Sequence, residues 1–560
     1  MTHTDTSERR GARGAASSVA ASTRVAVAAA ILCGVLFAGL LLVGCGDSGL
    51  EEVQLESGPV IGLVEEVDGQ EIWVFKGIPY AAPPVGGLRW KPPQPVEPWT
   101  EPLVCTEPGP ACPQAGGEGL FNIAALAVGE MDEDCLYLNV WSPVESADEA
   151  LPVMVWIHGG SFESGSGAMG VYDGARLATK GVVVVSINYR LGPLGFLAHP
   201  ALSAESPEGV SGNYGLLDQV AALRWVRANI AGFGGDAANI TVFGESAGAI
   251  SILGLLVSPL AEGLFDRAIP QSGILLDHGF GVSTAVTLDA AEAAGEDYVS
   301  YLEIDLAGDV LAQMRSKTAG ALVEAAGKYA RGLGLLEKGL TWTPVADGYL
   351  LPDLPGKLWA EGRCHSVPLL IGSNADEGNL FVAGMTVEPD QYEAQMRKIF
   401  GLYAEEALAL YPNDGKQGLD SSLSRMLTEV GFASTARLAA GCMAGSTDSP
   451  AYLYQFTRVP VVLSTLGAIH SIEIPYMTGN TGLFSSLGAI TKTDLELSET
   501  MMGYWTRFAA TGDPNGEGAP QWPRYDAASD QHLELGDDIR VGSGLYREAC
   551  DLADRLRGIE

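Results

Sequence analysis

Short, almost unbroken apolar runs recur along the chain, separated by polar or glycine-rich breaks. Residues 151–157 and 182–187 have the length and composition of strands buried on both faces, and residues 240–243, 368–371 and 451–456 repeat the pattern. Between the second and third runs the period changes. Leu216, Val220, Leu223, Val226 and Ile230 are spaced 4, 3, 3 and 4, which predicts an amphipathic helix with one buried stripe. Strands alternating with helices imply an α/β protein: a large, mostly parallel sheet covered by helices on both sides. Residues 53–63 alternate like a hairpin strand, whereas the proline-rich passage 77–99 excludes long helices and central strands. Residues 282–334, alanine-rich and acidic, read as helices packed over the edge of the sheet that carries the site. No Gly/Ser linker or internal repeat interrupts the pattern, so residues 53–560 are expected to form a single domain.

Composition changes this picture in two places. The chain has 560 residues, 47% of them hydrophobic, with 33 basic and 69 acidic side chains and a net charge of −36. Such a charge repels nucleic acid and anionic membrane surfaces, which excludes both as direct partners of the folded body. The N-terminus differs from the rest. Arg9, Arg10, Arg13 and Arg24 precede an uncharged apolar stretch, 25–43, that runs into Gly44, Cys45 and Gly46. A basic region, an apolar core and small residues at the boundary describe an export signal. Leu42-Val43-Gly44-Cys45 resembles a bacterial lipobox. The resemblance implies a lipoprotein signal peptide over 1–44, lipid on Cys45, a tether over 45–52 and a body held at the cell envelope outside the cytoplasm. The alternative is an uncleaved membrane anchor, because the apolar stretch is just long enough to span a bilayer. With Cys33 in the signal, the remaining cysteines are Cys105, Cys112, Cys135, Cys364, Cys442 and Cys550, an even number compatible with disulfides in an exported chain. No two of them have C-x₂-C spacing and the seven histidines are scattered, so no metal site is expected.

The candidate chemistry starts at Gly244-Glu245-Ser246-Ala247-Gly248. The motif is G-x-S-x-G, preceded by the apolar run 240–243 and followed by an apolar helical stretch ending near Pro259. A strand-turn-helix this tight pushes the serine hydroxyl out of the sheet and favours glycine at both flanking positions. A serine needs a base to take its proton and a group to orient that base. Asp376 and Glu377, in the turn leaving run 368–371, are equal candidates for the acid on position alone. His470, just after the run 451–456, is the favoured base; His278 and His532 are less well placed. The glycine-rich turn His158-Gly159-Gly160-Ser161-Phe162 follows the run 151–157, where it can aim backbone N–H groups at an oxyanion together with the N–H of Ala247.

Together these stretches resemble the type-B carboxylesterase (cholinesterase-like) family of α/β-hydrolases, in its bacterial para-nitrobenzyl-esterase-like branch. The resemblance rests on Phe75-Lys-Gly-Ile-Pro-Tyr-Ala81, Glu133-Asp-Cys-Leu-Tyr-Leu-Asn139, Asn188-Tyr-Arg-Leu-Gly-Pro-Leu-Gly-Phe196, Gly215-Leu-Leu-Asp-Gln219, the Ser246 motif and Trp522-Pro-Arg-Tyr525, in the family's order. It implies the α/β-hydrolase fold and a triad of Ser246, Glu377 (the acid of Asn374-x-x-Glu-Gly378) and His470. It also implies oxyanion donors at Gly160, Ser161 and Ala247, and a pocket lined by Glu245, Gly159 and Phe162. Two disulfides follow from the same resemblance, Cys112–Cys135 and Cys442–Cys550. Cys105 and Cys364 receive no assignment; both pairing and free thiols remain open for them. The loop before Glu133-Asp-Cys135 has no tryptophan and only Phe121 as an aromatic, so the choline-binding stack of true cholinesterases is missing.

The expected activity is hydrolysis of a small carboxylic ester through an acyl-enzyme, with no metal or organic cofactor. Two rivals stand beside it: the same chemistry on a lactone, carbamate or large polyester, and a catalytically silent surface-binding protein on this fold.

Overall fold

Side chains of the central strands alternate between two separate cores. Val153, Val155 and Ile157 enter one while Met154 and Trp156 enter the other; Val183 and Val185 part from Val184 in the same way. A sheet apolar on both faces must be covered on both, and helices cover it. The computed structural model describes residues 50–559 apart from 116–126, 144–148, 277–283, 332–340, 384, 386, 417 and 487–488. The signal segment, Cys45, Phe121 and His278 lie outside the described residues.

The strands are β1 Leu50–Gln54, β2 Pro59–Val67, β3 Gln70–Pro79, β4 Leu103–Val104, β5 Tyr137–Ser142, β6 Leu151–Ile157, β7 Val183–Ile187, β8 Gly235–Glu245, β9 Arg267–Gln271, β10 Val286–Thr287, β11 Val345–Ala346, β12 Leu369–Asn374, β13 Ala451–Phe456, β14 Gln531–Leu535 and β15 Ile539–Ser543. One 13-stranded sheet runs β1-β2-β3-β5-β7-β6-β8-β9-β12-β13-β14-β15, with β4 beside β2. From β7 across to β14 every neighbour pair is parallel. The two margins are antiparallel, except that β4 lies parallel to β2. The expected fold class is therefore the observed one.

The body begins with β1 at Leu50, so residues 50–52 of the expected tether are strand, paired to Ile61–Leu63 of β2. β6 and β13 have the expected bounds, and the stripe lies on the helix Tyr214–Asn229 except for Ile230, which opens the 3-10 turn Ile230–Phe233. Run 240–243 is the buried middle of the longer β8. Residues 282–334 hold the helices Leu288–Tyr301, Val310–Ser316 and Ala319–Arg331 among their described part, plus the short β10, which pairs with β11. Several strands escaped the pattern. β9 contains Pro270 although it lies between β8 and β12, and a central strand with proline does not look like one in sequence. The arrangement brings the carboxyl ends of β6, β8, β12 and β13 to one edge, the place where open α/β sheets bind their ligands.

Candidate active site

Ser246 stands between the end of β8 and the start of the helix Ala247–Leu255, with φ 56° and ψ −120°. A non-glycine residue in that region is strained, and the crowding around it explains why the strain persists. A Cβ at Gly244 would lie 2.5 Å from the carbonyl oxygen of Ile157, and one at Gly248 would lie 2.0 Å from it. The backbone of β6 therefore presses directly on the turn. Ser246 N–H donates to the Gln271 carbonyl at 3.0 Å, tying the turn to β9. Every neighbour from Thr241 to Ile250 is buried except Ser246, which is half-buried.

The glycine-rich turn after β6 bends back beside this elbow. Gly160, Ser161 and Phe162 have φ of 112°, 57° and 61°, a left-handed run held by Glu163 and Ser164 N–H groups donating to the Gly160 carbonyl. A Cβ on Gly159 would meet Glu245 Oε2 at 2.8 Å and Ser246 Cβ at 3.0 Å, so this turn packs on the nucleophile candidate itself. No hydrogen bond among the described residues uses the N–H groups of Gly160, Ser161 or Ala247. They remain available to an oxyanion. Gln114 clamps the far side of the turn, donating to the Gly165 carbonyl and accepting its N–H, both at 2.8 Å. Gln114 also donates to the Cys112 carbonyl, and Cys112 is bonded to Cys135 with S–S 2.08 Å. The disulfide thus anchors the clamp. His158 serves the same turn as a neutral ring: it stacks on Tyr189 with centroids 4.5 Å apart, its Nδ1 is 2.7 Å from the Gly159 carbonyl, and burial pushes its pKa down to about 4. Phe162, expected at the pocket, turns its ring into the core against Phe196, because the left-handed backbone swings it inward.

Of the two neighbouring acids, Glu377 meets the imidazole. Its Oε2 is 2.5 Å from His470 Nδ1 and its Oε1 accepts the Asn374 N–H at 2.7 Å. Asp376 is occupied elsewhere, accepting the N–H of Ala468 at 2.8 Å while its own N–H donates to the Ala468 carbonyl. It holds the loop that carries His470. On the other side of the ring, Nε2 lies 3.1 Å from Glu245 Oε1 and has no hydrogen-bond partner among the described residues. Phe381 and Phe432 flank the ring at 5.0 and 5.1 Å. Phe432 lies in a π-helical stretch, Leu427–Ala433, and such bulges re-aim side chains at functional sites.

Sequence reasoning missed the charge that surrounds this histidine. Glu473 is fully buried and accepts from Gln271 at 3.1 Å and from Asn374 at 2.7 Å. Trp505 donates to Gln271 at 3.0 Å and fixes its orientation. Ser471, at φ 68°, donates to Glu245 Oε1 at 2.6 Å. Three buried carboxyl groups, those of Glu245, Glu377 and Glu473, therefore surround one imidazole. Burial pushes Glu473 up to about 8, helped by Glu245 and Glu377, and raises Glu245 as well. Burial opposes the charge on His470, but Glu245 and then Glu377 outweigh it and lift its pKa to about 9. Only the run of glutamates before and after the serine and histidine hinted at this cluster, and no local period marks it.

One expected pairing is not formed. Cys442 Sγ lies 3.4 Å from Cys364 Sγ, while Cys550 is a buried free thiol pointing at the Leu545 carbonyl, also at 3.4 Å. The helix Ser434–Ser446 presents Cys442 to the segment before β12 rather than to the C-terminal helix Arg547–Leu556. Cys105 is buried and free.

A parallel sheet with a strained serine elbow, and an acid and a histidine on loops after the neighbouring strands, defines an α/β-hydrolase. The sequence profile of the Carboxylesterase family matches residues 50–553, and the chain belongs to that family, the type-B carboxylic ester hydrolases. It is 40% identical over 491 residues to a fumonisin B1 esterase of Sphingopyxis macrogoltabida, covering 86% of this chain and 87% of that one. It is 38% identical over 502 residues to the para-nitrobenzyl esterase of Bacillus subtilis (strain 168), covering 87% and 95%. A solved structure of a thermophilic para-nitrobenzyl esterase superposes with TM-score 0.77 at 35% identity, over 90% of this chain and 99% of that one.

Proposed function

We propose that the chain hydrolyses carboxylic esters through an acyl-enzyme, with Ser246 as nucleophile, His470 as general base and acid, and Glu377 orienting the imidazole. Ser246 Oγ attacks the ester carbonyl as His470 Nε2 takes its proton. The oxyanion is received by the N–H groups of Gly160, Ser161 and Ala247. His470 returns the proton to the departing alcohol, and water activated by the same nitrogen then releases the acid. The observation that carries this reading is the ring of His470: Nδ1 is bound to Glu377 at 2.5 Å while Nε2 is left without a hydrogen bond beside the residue preceding Ser246.

The test is hydrolysis of p-nitrophenyl butyrate by the body of the protein and its Ser246→Ala variant. The variant should lose at least about 10³-fold in kcat/KM with unchanged circular dichroism. Retention of more than about one per cent of the activity would assign the nucleophile elsewhere. Substrate choice needs a panel, and the names of the relatives suggest its members: para-nitrobenzyl acetate and fumonisin B1, beside a lactone and a polyester. The same reading places the enzyme outside the cytoplasm, tethered by lipid on Cys45, on the strength of the Arg-rich, apolar and Leu-Val-Gly-Cys succession at the N-terminus.

A further inference from the structure

We propose that Cys364 and Cys442 form a disulfide that locks the acid-bearing lobe of the enzyme onto the helix behind the nucleophile. Their sulfurs are 3.4 Å apart across a separation of 78 residues, and no other thiol pair among the described residues stands this way. Cys364 is half-buried, which leaves a side for an oxidant to approach, whereas Cys442 is almost fully buried behind it.

The surroundings of each sulfur assign its part in the exchange. Cys364 and Cys442 share a proton across this contact, and with the Ser446 hydroxyl also bonding to it the Cys442 thiol is held below its ordinary pKa despite its burial. The shared proton and burial raise Cys364. Burial pushes Cys105 and Cys550 up to about 12 as well, and neither has a second thiol beside it among the described residues. The oxidant is a dithiol-exchanging disulfide, R–S–S–R, of the class that oxidises exported proteins. Exposure rather than acidity sets the order: Cys364, the accessible sulfur, loses its proton as it attacks one sulfur of R–S–S–R to form a mixed disulfide, and the first R–S⁻ leaves. Cys442 thiolate then attacks the Cys364 sulfur, the second R–S⁻ leaves, and the two protons lost by the cysteines end on the two R–SH. Two electrons pass from the pair to the oxidant.

What the bond would tie together gives it consequence. Cys364 precedes His365, whose N–H donates to the Leu256 carbonyl at 2.7 Å and whose Nε2 lies 2.8 Å from the Ser258 carbonyl. That is the far end of the helix starting at Ala247. Cys442 lies on Ser434–Ser446, whose Thr435 hydroxyl accepts the Leu275 N–H at 2.9 Å just after β9. The chain between the two sulfurs holds Glu377, Phe381 and Phe432, everything that touches His470 from that side. Closing it restricts the unfolded chain and pins both ends of the lobe.

The full-length protein, purified without reductant after export and also after incubation with glutathione disulfide, is alkylated and mapped by mass spectrometry. A Cys364–Cys442 cross-linked peptide, 2 Da lighter than the sum of its parts, is expected beside Cys112–Cys135. Cys364→Ala, which leaves the buried Cys442 in place, should lose the cross-link, melt roughly 4 °C lower and keep kcat. Alkylation of both cysteines after glutathione disulfide, or a Cys442–Cys550 link, overturns the proposal. So does a cross-link whose loss leaves the Tm unchanged.

Discussion

His470 is the side chain on which the most charge converges. Glu377 holds Nδ1, Glu245 faces Nε2, Glu473 stands behind both, and the aromatic rings of Phe381 and Phe432 exclude water from its flanks. A base must be neutral to accept the proton of Ser246. With the pKa raised to about 9, the imidazole is charged over most of the neutral range, so activity falls as pH drops through that value. Glu245 contributes the largest of the charges that raise it. Glu245→Gln removes that charge, lowers the His470 pKa and moves the acid limb of the kcat/KM profile to lower pH by roughly one unit. An acid limb that stays in place, or moves up, would sink this account of the cluster. Ser471 belongs to the same arrangement, since its hydroxyl satisfies the carboxylate of Glu245 while its left-handed backbone turns the chain out of the His470 loop.

The elbow is the element whose geometry leaves least freedom. β8 pairs with β6 through Gly244 opposite Ile157, and the helix that follows starts at Ala247, so the backbone must reverse within the serine itself. Adding one carbon at Gly248 places it 2.0 Å from the Ile157 oxygen, and neither backbone has room to yield. Gly248→Ala is expected to destabilise by about 3 kcal/mol or more, or to prevent folding. The measurement is a urea unfolding curve with activity followed in parallel, and wild-type stability in the variant would contradict the crowding argument. The turn after β12 shows the complementary case. There adjacent acids divide the work because successive residues point in different directions: Asp376 caps the backbone of the His470 loop and Glu377 reaches the ring.

At the scale of the whole molecule, the sheet gathers loops that are far apart in the chain, and the proposed lipid on Cys45 has a test of its own. If Cys45 carries lipid, Cys45→Ser should abolish incorporation of radiolabelled palmitate and leave the precursor uncleaved. Unchanged labelling would refute the lipid anchor. The buried pair Arg190–Asp218 shows how the body itself is tied. Arg190 uses its N–H, Nε and Nη2 on the two Asp218 oxygens, linking the chain after β7 to the Tyr214–Asn229 helix.

Much of this was readable from the sequence, and the boundary has a physical origin. Strands buried on both faces announce themselves as apolar runs, and for β6 and β13 the run and the strand coincide. The serine elbow was legible because its constraint is local: strand, two glycines and helix all act within a few residues of Ser246. Partners brought together across long separations leave no such period. Glu377 and His470 are 93 residues apart, and position alone did not separate Glu377 from Asp376; the family resemblance named the acid, and folding put its carboxylate on the ring. Glu473 carried no signal of its own in the sequence and is a buried acid beside His470, because Gln271 and Asn374 converge on it from two other elements while Trp505 fixes Gln271. The cysteines mark the same limit, since Cys442 was expected to face Cys550 and stands against Cys364 instead. Local sterics and hydrophobic period, written in neighbouring residues, determined the strands, the helix stripe and the Ser246 turn. Which distant side chains meet was decided only by the packing of the sheet, because contact across it depends on strand order and helix orientation rather than on any spacing along the chain.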